Sequence, residues 1–374
     1  MDMRIGYDAK RLFFNGSGLG NYSRSLVQLM AKYYPEDEQV LFTPKPGNPC
    51  EFPVSPGMEI VCPERFPASK FSSLWRSYRM SGSIRNQKID LFHGLSNELP
   101  ADIRRSGARS VVTLHDIIFV RMPELYKPLD RRIYTQKYRS SCFNADRVIA
   151  ISQQTKNDLI NTWGVPEEKI DVVYQGCNPV FYETVSGEKK ATVRKKYNLP
   201  ERYILSVGTI EERKNLLLTV EAMAHGKIDI DLVACGRPTP YSDMVKGAAR
   251  KFGISDRVHF FHNVPLADLP AFYQMAELLV YASFYEGFGI PILEAFESGI
   301  PVVTSQGGVF PETGGDAAWY VDPYQTESMV EALRKILGDT DTRAGMIERG
   351  NAYAQRFRDE VIARNIRDVY DKLI

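Results

Sequence analysis

Residues 281–304 read YASFYEGFGIPILEAFESGIPVVT, and this stretch says most about the fold of the chain. An apolar run, ELLVYAS, leads into it, and a second one, PVVTS, closes it, so the pattern predicts strand, loop, helix and strand in succession. Pro291 fits the first helical turn, where its missing N–H costs nothing. The stretch therefore predicts an α/β unit in which Glu286 belongs to the loop and Glu294 to the helix.

The loop between these two acids has the features of an anion site. A helix that begins at Pro291 points its free backbone N–H groups and its positive dipole end at the loop. Gly287 and Gly289 leave room for a ligand to approach the backbone. Carboxylates on either side can accept hydrogen bonds from sugar hydroxyls, so the site suits a nucleotide sugar. The alternative is an ordinary surface loop with a capping Glu and a solvated helical Glu.

The E-x7-E spacing of Glu286 and Glu294, with GFG between them, resembles the hallmark of retaining glycosyltransferases of family 4. This resemblance implies the GT-B fold, an α/β architecture of two Rossmann-like doubly wound domains that face each other across a cleft. It also implies that Glu286 orients the donor sugar and that Glu294 accepts from the ribose hydroxyls. Further donor-binding residues on this loop would be Phe288, Gly289 and Ile290.

The composition agrees with two ordered domains and excludes several classes of protein. The chain has 374 residues, of which 44% are apolar and 25% charged. A net charge of +1 gives no global attraction to nucleic acid. The five cysteines are scattered and form no C-x-x-C, so they indicate a reducing cytoplasm. We expect no cleavable signal, because no apolar h-region precedes the first strand, and no membrane-spanning helix, because no run of about 18 apolar residues exists.

A glycine-bearing loop with Gly16, Gly18 and Gly20 follows the first predicted strand, at residues 4–8, and opens an amphipathic helix. It is not a dinucleotide fingerprint, because several residues separate it from the strand and its spacing is G-x-G-x-G. In the resembled family, the matching loop approaches the donor diphosphate, which makes Gly18 and Gly20 donor-binding candidates. A glycine-rich turn without a ligand remains the alternative.

Five further apolar runs in the first half alternate with helical segments and predict a parallel sheet covered on both faces. His93 and His115 both lie at carboxyl ends of these strands, where ligands bind in such sheets. His115-Asp116 resembles the family's His-Asp motif, which implies a catalytic role for His115 beside the donor sugar. A satisfied core or loop histidine is the alternative, and we prefer it for His93. The remaining three histidines look structural and form no metal cluster.

Residues 178–196 are strongly polar and predict an interdomain linker. We therefore predict an N-terminal Rossmann-like acceptor domain over residues 1–180 and a C-terminal Rossmann-like donor domain over residues 196–355. The amphipathic segment 356–374 is predicted to be a helix. In the resembled family such a helix packs back on the first domain.

The second half opens with SVGTIEERKN, in which Gly208 ends a strand and Arg213 and Lys214 begin the next helix. Two cations at a strand end can neutralise a diphosphate without a divalent metal, and the resembled family uses an Arg and a Lys here. A solvated Arg-Lys pair is the alternative. Asn263 and Val264 match the family's base-reading segment. The Asp229-x-Asp231 pair matches a metal-binding D-x-D only formally, because it marks the entry to a buried strand.

Two N-terminal segments are locally basic, and the first interleaves its basic residues with aromatic ones. The first spans residues 65–88, and the second contains Lys127, Arg131, Arg132, Lys137 and Arg139. Such segments can lay a helix on an anionic bilayer, which would indicate a lipid-linked acceptor and a peripheral position on the inner face of the membrane. A solvated face whose aromatic rings pack into the core is an equal alternative.

Taken together, these features predict a cytoplasmic, retaining hexosyltransferase with a nucleoside-diphosphate sugar donor, a glycan or lipid-linked acceptor, and no metal, other cofactor or nucleic acid. GDP-mannose is the first choice of donor, because the TIEERKN form is common among mannosyltransferases of surface polysaccharide assembly in the resembled family. UDP-sugars come second. A nucleotide-sugar epimerase of the same fold and an inactive nucleotide-sugar-binding module are two further hypotheses.

Overall fold

The computed structural model describes residues 2–63 and 72–374. The chain forms two compact units. The first comprises Met1–Gln175 together with Asp359–Ile374, and the second comprises Gly176–Arg358.

The first unit is built on a sheet of seven parallel strands in the order β3-β2-β1-β4-β5-β6-β7. Its central strands are short apolar runs that are buried along most of their length, because helices cover both faces. The strand order reverses between β1 and β4, the point at which α/β sheets open a crevice for ligands. The strands are β1 (Arg4–Asp8), β2 (Glu38–Phe42), β3 (Met58–Val61), β4 (Leu91–Gly94), β5 (Arg109–Leu114), β6 (Arg147–Ala150) and β7 (Ile170–Val172).

The helices of the first unit confirm the predicted amphipathic helix after the glycine loop and add a short one before it. They are α1 (Lys10–Phe14), α2 (Gly18–Tyr33), α3 (Ser72–Tyr78), α4 (Met80–Asn86), α5 (Ile118–Arg121), α6 (Pro128–Asn144) and α7 (Gln153–Trp163). The sequence did not predict α1, whose five residues are too few to show a helical period.

The second unit contains six parallel strands in the order β10-β9-β8-β11-β12-β13, the strand order of a Rossmann sheet. The order reverses between β8 and β11, so the loops after these two strands meet at the switch point. The strands are β8 (Tyr203–Val207), β9 (Asp231–Cys235), β10 (Val258–Phe261), β11 (Leu278–Tyr281), β12 (Val302–Ser305) and β13 (Trp319–Val321).

The helices of the second unit are α8 (Gly187–Tyr197), α9 (Leu216–His225), α10 (Pro240–Lys251), α11 (Leu269–Gln274), α12 (Ile290–Glu297), α13 (Phe310–Gly314), α14 (Thr326–Gly338) and α15 (Thr340–Ala354). Helix α12 begins at Ile290, one residue before the predicted start, and Pro291 lies in its first turn as the sequence predicts.

Helix α8 corrects the prediction that residues 178–196 are a linker. Ser186 caps the helix, and Val193 is its buried residue. Lys189 and Lys196 bind the two carboxylate oxygens of Asp268 at 2.6 and 2.7 Å, which holds α8 against the second unit. The linker prediction was wrong because a surface helix with one buried residue shows almost no helical period of apolar residues in its sequence.

The last helix, α16 (Asp359–Asp371), packs into the core of the first unit. Ile362, Ile366, Val369 and Tyr370 are buried beside apolar residues of α2 and β1. Arg367 contributes an ion pair of 2.8 Å to Asp37, which is buried. The amphipathic period of this segment therefore corresponds to one buried face.

Short 3-10 turns complete the described elements, at Ile103–Arg105, Pro123–Leu125, Glu167–Lys169, Pro179–Tyr182, Glu212–Lys214, Ser255–Arg257 and Gln355–Phe357. The five cysteines are free thiols. In the part of the chain that the structure describes, no helix has both the length and the apolar character needed to cross a membrane.

Candidate functional site

The switch point of the second unit brings the predicted Arg-Lys pair to the first acid of the E-x7-E motif. Gly208 follows β8, and Glu286 lies on the loop after β11. The guanidinium Nη1 of Arg213 lies 2.7 Å from Glu286 Oε2, and Lys214 Nζ lies 2.6 Å from Glu286 Oε1. Residues 72 positions apart in the chain thus form one buried ion cluster, which we call the Glu286 cluster.

Several neutral groups complete the Glu286 cluster. Ser283 Oγ donates to Glu286 Oε1 at 2.9 Å, and Lys214 Nζ donates to the hydroxyl of Tyr281 at 2.9 Å. Arg213 Nη1 also donates to the carbonyl of Tyr285 at 2.6 Å. These contacts fix both cations against the loop, so their orientation does not depend on a bound ligand.

The charges of the cluster follow from its burial and its pairs. Burial raises the pKa of Glu286, but Lys214 and Arg213 outweigh this effect and hold the pKa at about 2. Burial lowers the pKa of Arg213, and Glu286 and Glu211 together raise it above its ordinary value. Glu286 and Arg213 are therefore both ionised at neutral pH.

Arg213 also pairs with a second carboxylate. Its Nη2 lies 2.7 Å from Glu211 Oε1, and the Glu211 side chain is 36% exposed, against 11% for Glu286. Solvent weakens the more exposed pair, so the contact with Glu211 is the one that an incoming anion can replace at lower cost.

Glycine is required where Lys214 crosses the end of β8. Gly208 has a φ of 133°, and a Cβ there would lie 2.9 Å from Lys214 Cε. A Cβ at Gly236, which follows β9, would lie 1.8 Å from the carbonyl oxygen of Gly208. Because glycine has no Cβ, Lys214 can pack directly on Gly208, and the backbone of Gly208 can approach that of Gly236. Gly236 was not predicted, although its position directly after a strand is the same signal that identified Gly208.

Helix α12 starts beside the Glu286 cluster. Gly289 is its N-cap, with a φ of 120° and no side-chain cap, and a Cβ there would lie 3.7 Å from the Tyr281 ring. The first-turn N–H groups of an α-helix have no partner within the helix, so this end attracts an anion. The predicted backbone site at Gly289 and Ile290 therefore adjoins the two cations.

Hydroxyl groups on neighbouring elements hold the loop in place. Thr304 Oγ1 donates to the carbonyl of Tyr281 at 2.8 Å, Ser305 Oγ to that of Ser283 at 2.7 Å, and Thr313 Oγ1 to that of Phe288 at 2.8 Å. The side chain of Phe288 is 3% exposed and packs on Phe357. The predicted donor contact of Phe288 can thus involve only its backbone, because the ring is part of the core.

Glu294, the second acid of the motif, lies on α12 and accepts a hydrogen bond of 2.5 Å from the hydroxyl of Tyr273. Burial raises the pKa of Glu294 to about 7, although Tyr273 and Lys214 act in the opposite direction. Tyr273 was not predicted, since a tyrosine in a short apolar helix carries no functional signal. The two acids of the motif therefore differ in protonation: Glu286 is ionised, and Glu294 titrates near neutrality.

The predicted base-reading residues lie after β10, also on the carboxyl edge of this sheet. His262 Nδ1 lies 2.7 Å from the carbonyl of Gly236, which ties the segment to the strand ends around Gly208. Asn263 is exposed with a φ of 56°, and Val264 is half-buried. Both residues are thus positioned by the backbone at the edge where the Glu286 cluster lies.

His115 belongs to the first unit, where it follows β5. Its Nε2 lies 3.0 Å from the carbonyl of Leu95, which can only accept, so Nε2 carries the proton and Nδ1 remains an acceptor. Burial lowers the pKa of His115 to about 4, which keeps the ring neutral. Tyr22 of α2 meets the imidazole edge-on, with ring centroids 4.6 Å apart.

The two candidate glycines of the first unit differ. Gly20 lies in the first turn of α2, and a Cβ there would be 1.7 Å from the carbonyl oxygen of Asn15. Packing alone therefore requires glycine at position 20. A Cβ at Gly18 would meet nothing within 4 Å, so packing does not explain that glycine.

His93 and the Asp229-x-Asp231 pair lie in different surroundings. His93 is fully buried with hydrogen bonds on both ring nitrogens, and burial lowers its pKa to about 3. Asp229 is fully exposed, and Asp231 lies 3.4 Å from His259 Nε2. Over residues 2–63 and 72–374, no group of three His, Cys, Asp or Glu side chains is arranged to hold a metal ion.

Two family models match the chain, one in each half. Residues 189–353 match the model of glycosyl transferases group 1, and residues 16–181 match that of glycosyltransferase family 4. The chain belongs to the family 4, group 1 glycosyltransferases. It is therefore a hexosyltransferase, and the predicted GT-B architecture of two Rossmann-like parallel sheets is confirmed.

Individual proteins similar to this glycosyltransferase include two bacterial mannosyltransferases. The O-antigen chain mannosyltransferase B of Escherichia coli is 28% identical over 370 residues, which are 95% of this chain and 96% of that protein. The O-antigen chain mannosyltransferase RfbU of Salmonella typhimurium is 30% identical over 247 residues, 66% of this chain and 65% of that protein. The crystal structure of Anabaena HepE in complex with UDP and glucose is similar in fold, with a TM-score of 0.77, 19% identity, and coverage of 99% and 100%.

The two basic segments of the glycosyltransferase differ in the exposure of their apolar and basic side chains. In the first segment, Trp75 is 4% exposed and Arg76 is buried between Asp8 and Glu98, so neither can contact a bilayer. Arg65, Phe66, Lys70 and Phe71 of that segment lie outside the described residues. The second segment consists of Lys127, which is the N-cap of α6, and residues of α6 itself, where Leu129 is 68% and Ile133 40% exposed.

Proposed function

We propose that this glycosyltransferase transfers a hexose with retention from a nucleoside-diphosphate sugar, with mannose from GDP-mannose as the first choice. The similarity to the Escherichia coli O-antigen chain mannosyltransferase over 95% of the chain supports mannose. UDP-sugars are the alternative donors, because the structurally similar HepE was crystallised with UDP and glucose.

The observation that carries the proposal is the Glu286 cluster beside the N-terminus of α12. Departure of a nucleoside diphosphate builds negative charge on the leaving group, and stabilisation of developing charge usually contributes most to such catalysis. Arg213, Lys214 and the helix N-terminus supply a positive field for that charge without a divalent metal. The diphosphate would replace Glu211 as the partner of Arg213. It would also accept a hydrogen bond from the third N–H of the Lys214 ammonium group, since the other two donate to Tyr281 and Glu286.

Glu286 and Glu294 have different roles in this proposal. Glu286 is ionised and held by two cations, so it orients the sugar by accepting hydrogen bonds from hydroxyls and is a weak nucleophile. We therefore favour front-face attack by the acceptor over a covalent glycosyl-enzyme intermediate. Glu294 accepts from the ribose hydroxyls. Gly208, Asn263, Val264 and the backbone of Phe288, Gly289 and Ile290 complete the donor contacts.

The first unit supplies the remaining residues of the proposal. The neutral His115 offers Nδ1, its one acceptor atom, to the acceptor's sugar hydroxyl and so relieves that hydroxyl of part of its proton density. The loop at Gly18 and Gly20 approaches the diphosphate, and Gly18 offers its backbone N–H at the start of α2, because the N–H of Gly20 donates to the Ser17 carbonyl at 2.9 Å. The acceptor is a glycan or a lipid-linked acceptor of surface polysaccharide synthesis. The enzyme works in the cytoplasm, with α6 as a candidate contact with the inner face of the membrane.

A thermal-shift panel tests the donor. GDP, UDP, ADP and the corresponding hexose conjugates are compared with and without EDTA, because a ligand that binds the native state raises its melting temperature. We expect the largest shift with GDP-mannose, and an equal shift in EDTA. A larger shift with UDP-glucose would identify UDP-sugars as the donors. If no nucleotide sugar raised the melting temperature, the proposal would be wrong.

Turnover separates a transferase from an epimerase and from an inactive binding module. GDP-mannose is incubated alone and with octyl α-mannoside, a glycan on an apolar chain. Transfer predicts a new octyl dimannoside and GDP in equal amounts, with the anomeric configuration of the mannose retained. An epimerase would change the sugar in the absence of acceptor, and an inactive binding module would shift the melting temperature and release no GDP.

A further inference from the structure

A buried chain of hydrogen bonds links the C-terminal helix to His115. Tyr370 Oη of α16 lies 2.7 Å from His93 Nδ1, and His93 Nε2 lies 2.8 Å from Thr113 Oγ1. The same threonine hydroxyl lies 3.0 Å from Tyr22 Oη, and the Tyr22 ring abuts the imidazole of His115. We call these four residues, Tyr370, His93, Thr113 and Tyr22, the Tyr370 chain.

Each link of the Tyr370 chain has little freedom to rearrange. Tyr370, His93 and Thr113 are fully buried, so no link can exchange its partner for bulk water. A neutral His93 donates through one nitrogen and accepts through the other. If Nε2 accepts, Thr113 donates to it and Tyr22 must donate to Thr113; if Nε2 donates, Thr113 accepts from it. In both cases the Thr113 hydroxyl oxygen takes part in two of the three links, so its removal breaks both.

The Tyr370 chain holds the Tyr22 ring, which packs against the His115 ring. The His115 imidazole donates a hydrogen bond to the Leu95 carbonyl, and the backbone N–H of His115 donates to Asn97 Oδ1 at 2.7 Å. The Tyr22 ring lies perpendicular to the imidazole at an interplanar angle of 89° and closes another side. If Tyr22 lost its hydroxyl anchor, the imidazole could tilt and move its acceptor nitrogen, Nδ1.

We propose that Tyr370, His93, Thr113 and Tyr22 are positioning residues that hold His115 in its productive orientation, so that the C-terminal helix takes part in the reaction without touching substrate. This inference rests on the role proposed above for His115. It also assigns a function to His93 and Tyr370, two buried polar residues outside the donor site, because they would act on the reaction indirectly through His115.

The first test observes the imidazole directly, without turnover. The five histidines are labelled with 15N, and the His115 signal is assigned by its loss in His115→Ala. Thr113→Val and Tyr370→Phe are expected to shift or broaden the Nε2–H signal of His115. Thr113→Ser, which keeps the hydroxyl, should retain the wild-type signal.

Ser110→Ala provides the matched control. Ser110 lies at the other end of β5 and is 3% exposed, and its hydroxyl donates to Asp146 Oδ2 at 2.9 Å and accepts from the Asp146 backbone N–H at 3.1 Å. The control therefore breaks two partly buried hydrogen bonds on the same strand away from His115, and we expect an unchanged His115 signal. An equal change in Ser110→Ala and Thr113→Val would show general loosening of the fold and overturn the inference.

The second test is a double-mutant cycle on the rate of GDP release from GDP-mannose with octyl α-mannoside. Thr113→Val is expected to lower kcat about tenfold in the wild-type background, with GDP affinity unchanged, and to have no further effect in the His115→Ala background. Thr113→Ser should restore the rate. An equal fold-change in both backgrounds would mean that Thr113 does not act through His115, which overturns the inference.

The outcomes separate the inference from the function on which it rests. If His115→Ala transfers mannose at the wild-type rate, the role proposed for His115 fails and the inference fails with it. If His115→Ala is impaired while Thr113→Val behaves like Ser110→Ala in both tests, only the inference is overturned.

Discussion

Lys214 Nζ lies 2.6 Å from Glu286 Oε1, so a cation assigned to the donor phosphates and an acid assigned to the donor sugar are already bonded to each other. This contact keeps a carboxylate ionised where little water reaches it, with a pKa of about 2. An anion that reached this cluster would therefore meet a preformed charge arrangement. Preorganised charge of this kind needs no rearrangement during the reaction.

Removing the Glu286 carboxylate should abolish transfer. We expect no detectable product with Glu286→Ala and a rate reduced by about 100-fold or more with Glu286→Gln, because the amide keeps the shape and loses the charge that orients the sugar. GDP affinity, measured by calorimetry, should be preserved, since Arg213 and Lys214 remain. An undiminished rate in either variant would exclude the assigned role of Glu286.

Changes at the two cations should separate phosphate recognition from base recognition. Arg213→Gln and Lys214→Gln are expected to weaken GDP by about tenfold or more, because each removes a charge-assisted hydrogen bond, and to leave guanosine affinity unchanged. Glu211→Gln should tighten GDP, since it removes the exposed competitor for Arg213. If the Gln variants weakened guanosine and GDP equally, the cations would not contact the phosphates.

Donor affinity should depend on pH through Glu294, whose pKa burial raises to about 7. The ionised form is the better acceptor for ribose hydroxyls, so affinity should rise with pH and level off above 7. One unit below that pKa, the ionised fraction predicts about tenfold weaker binding. GDP-mannose is the ligand to titrate, because it lacks a terminal phosphate that ionises in this range. The dependence should vanish in Glu294→Gln, and its persistence there would assign it to another group.

The glycine loop of the first unit can be tested with a pair of alanines. Gly20→Ala places a Cβ 1.7 Å from a backbone oxygen and should destabilise the fold by about 1–3 kcal/mol or more. Gly18→Ala meets no neighbour and has no positive φ, so its melting temperature should not fall. If the backbone at Gly18 approaches the diphosphate, Gly18→Ala should still weaken GDP-mannose binding. Unchanged binding would leave Gly18 without a donor role.

Helix α6 should bind anionic bilayers if its exposed apolar residues enter the interface. We expect the protein to sediment with vesicles containing about 30% phosphatidylserine and to be released by about 0.5 M NaCl. Leu129→Ser with Ile133→Ser, or Arg131→Gln with Arg132→Gln, should abolish sedimentation. Neutralising Arg250 and Lys251 on α10 is the matched control and should change nothing. Equal sedimentation of all variants would support the alternative of a solvated face.

The alternation of apolar runs and helical periods was enough to predict the strands, their parallel direction and the Rossmann-like fold. Burial from both sides leaves an unmistakable apolar run such as VVTL in β5, whereas α8 buries a single residue and looked like a linker. The spacing of Glu286 and Glu294, and the Arg-Lys pair after Gly208, also carried the glycosyltransferase assignment, because these features are local in the chain.

What the sequence determined by itself was therefore the family, the elements and the residue types of the donor site. Only the tertiary structure decided which charges are paired, because Glu286 meets Lys214 across 72 positions and the bond depends on two strand ends meeting at the switch point. The Tyr370 chain spans 277 positions between His93 and Tyr370 and has no local signal at all. Protonation states depend on burial and on partners brought together by folding, and a linear pattern contains neither.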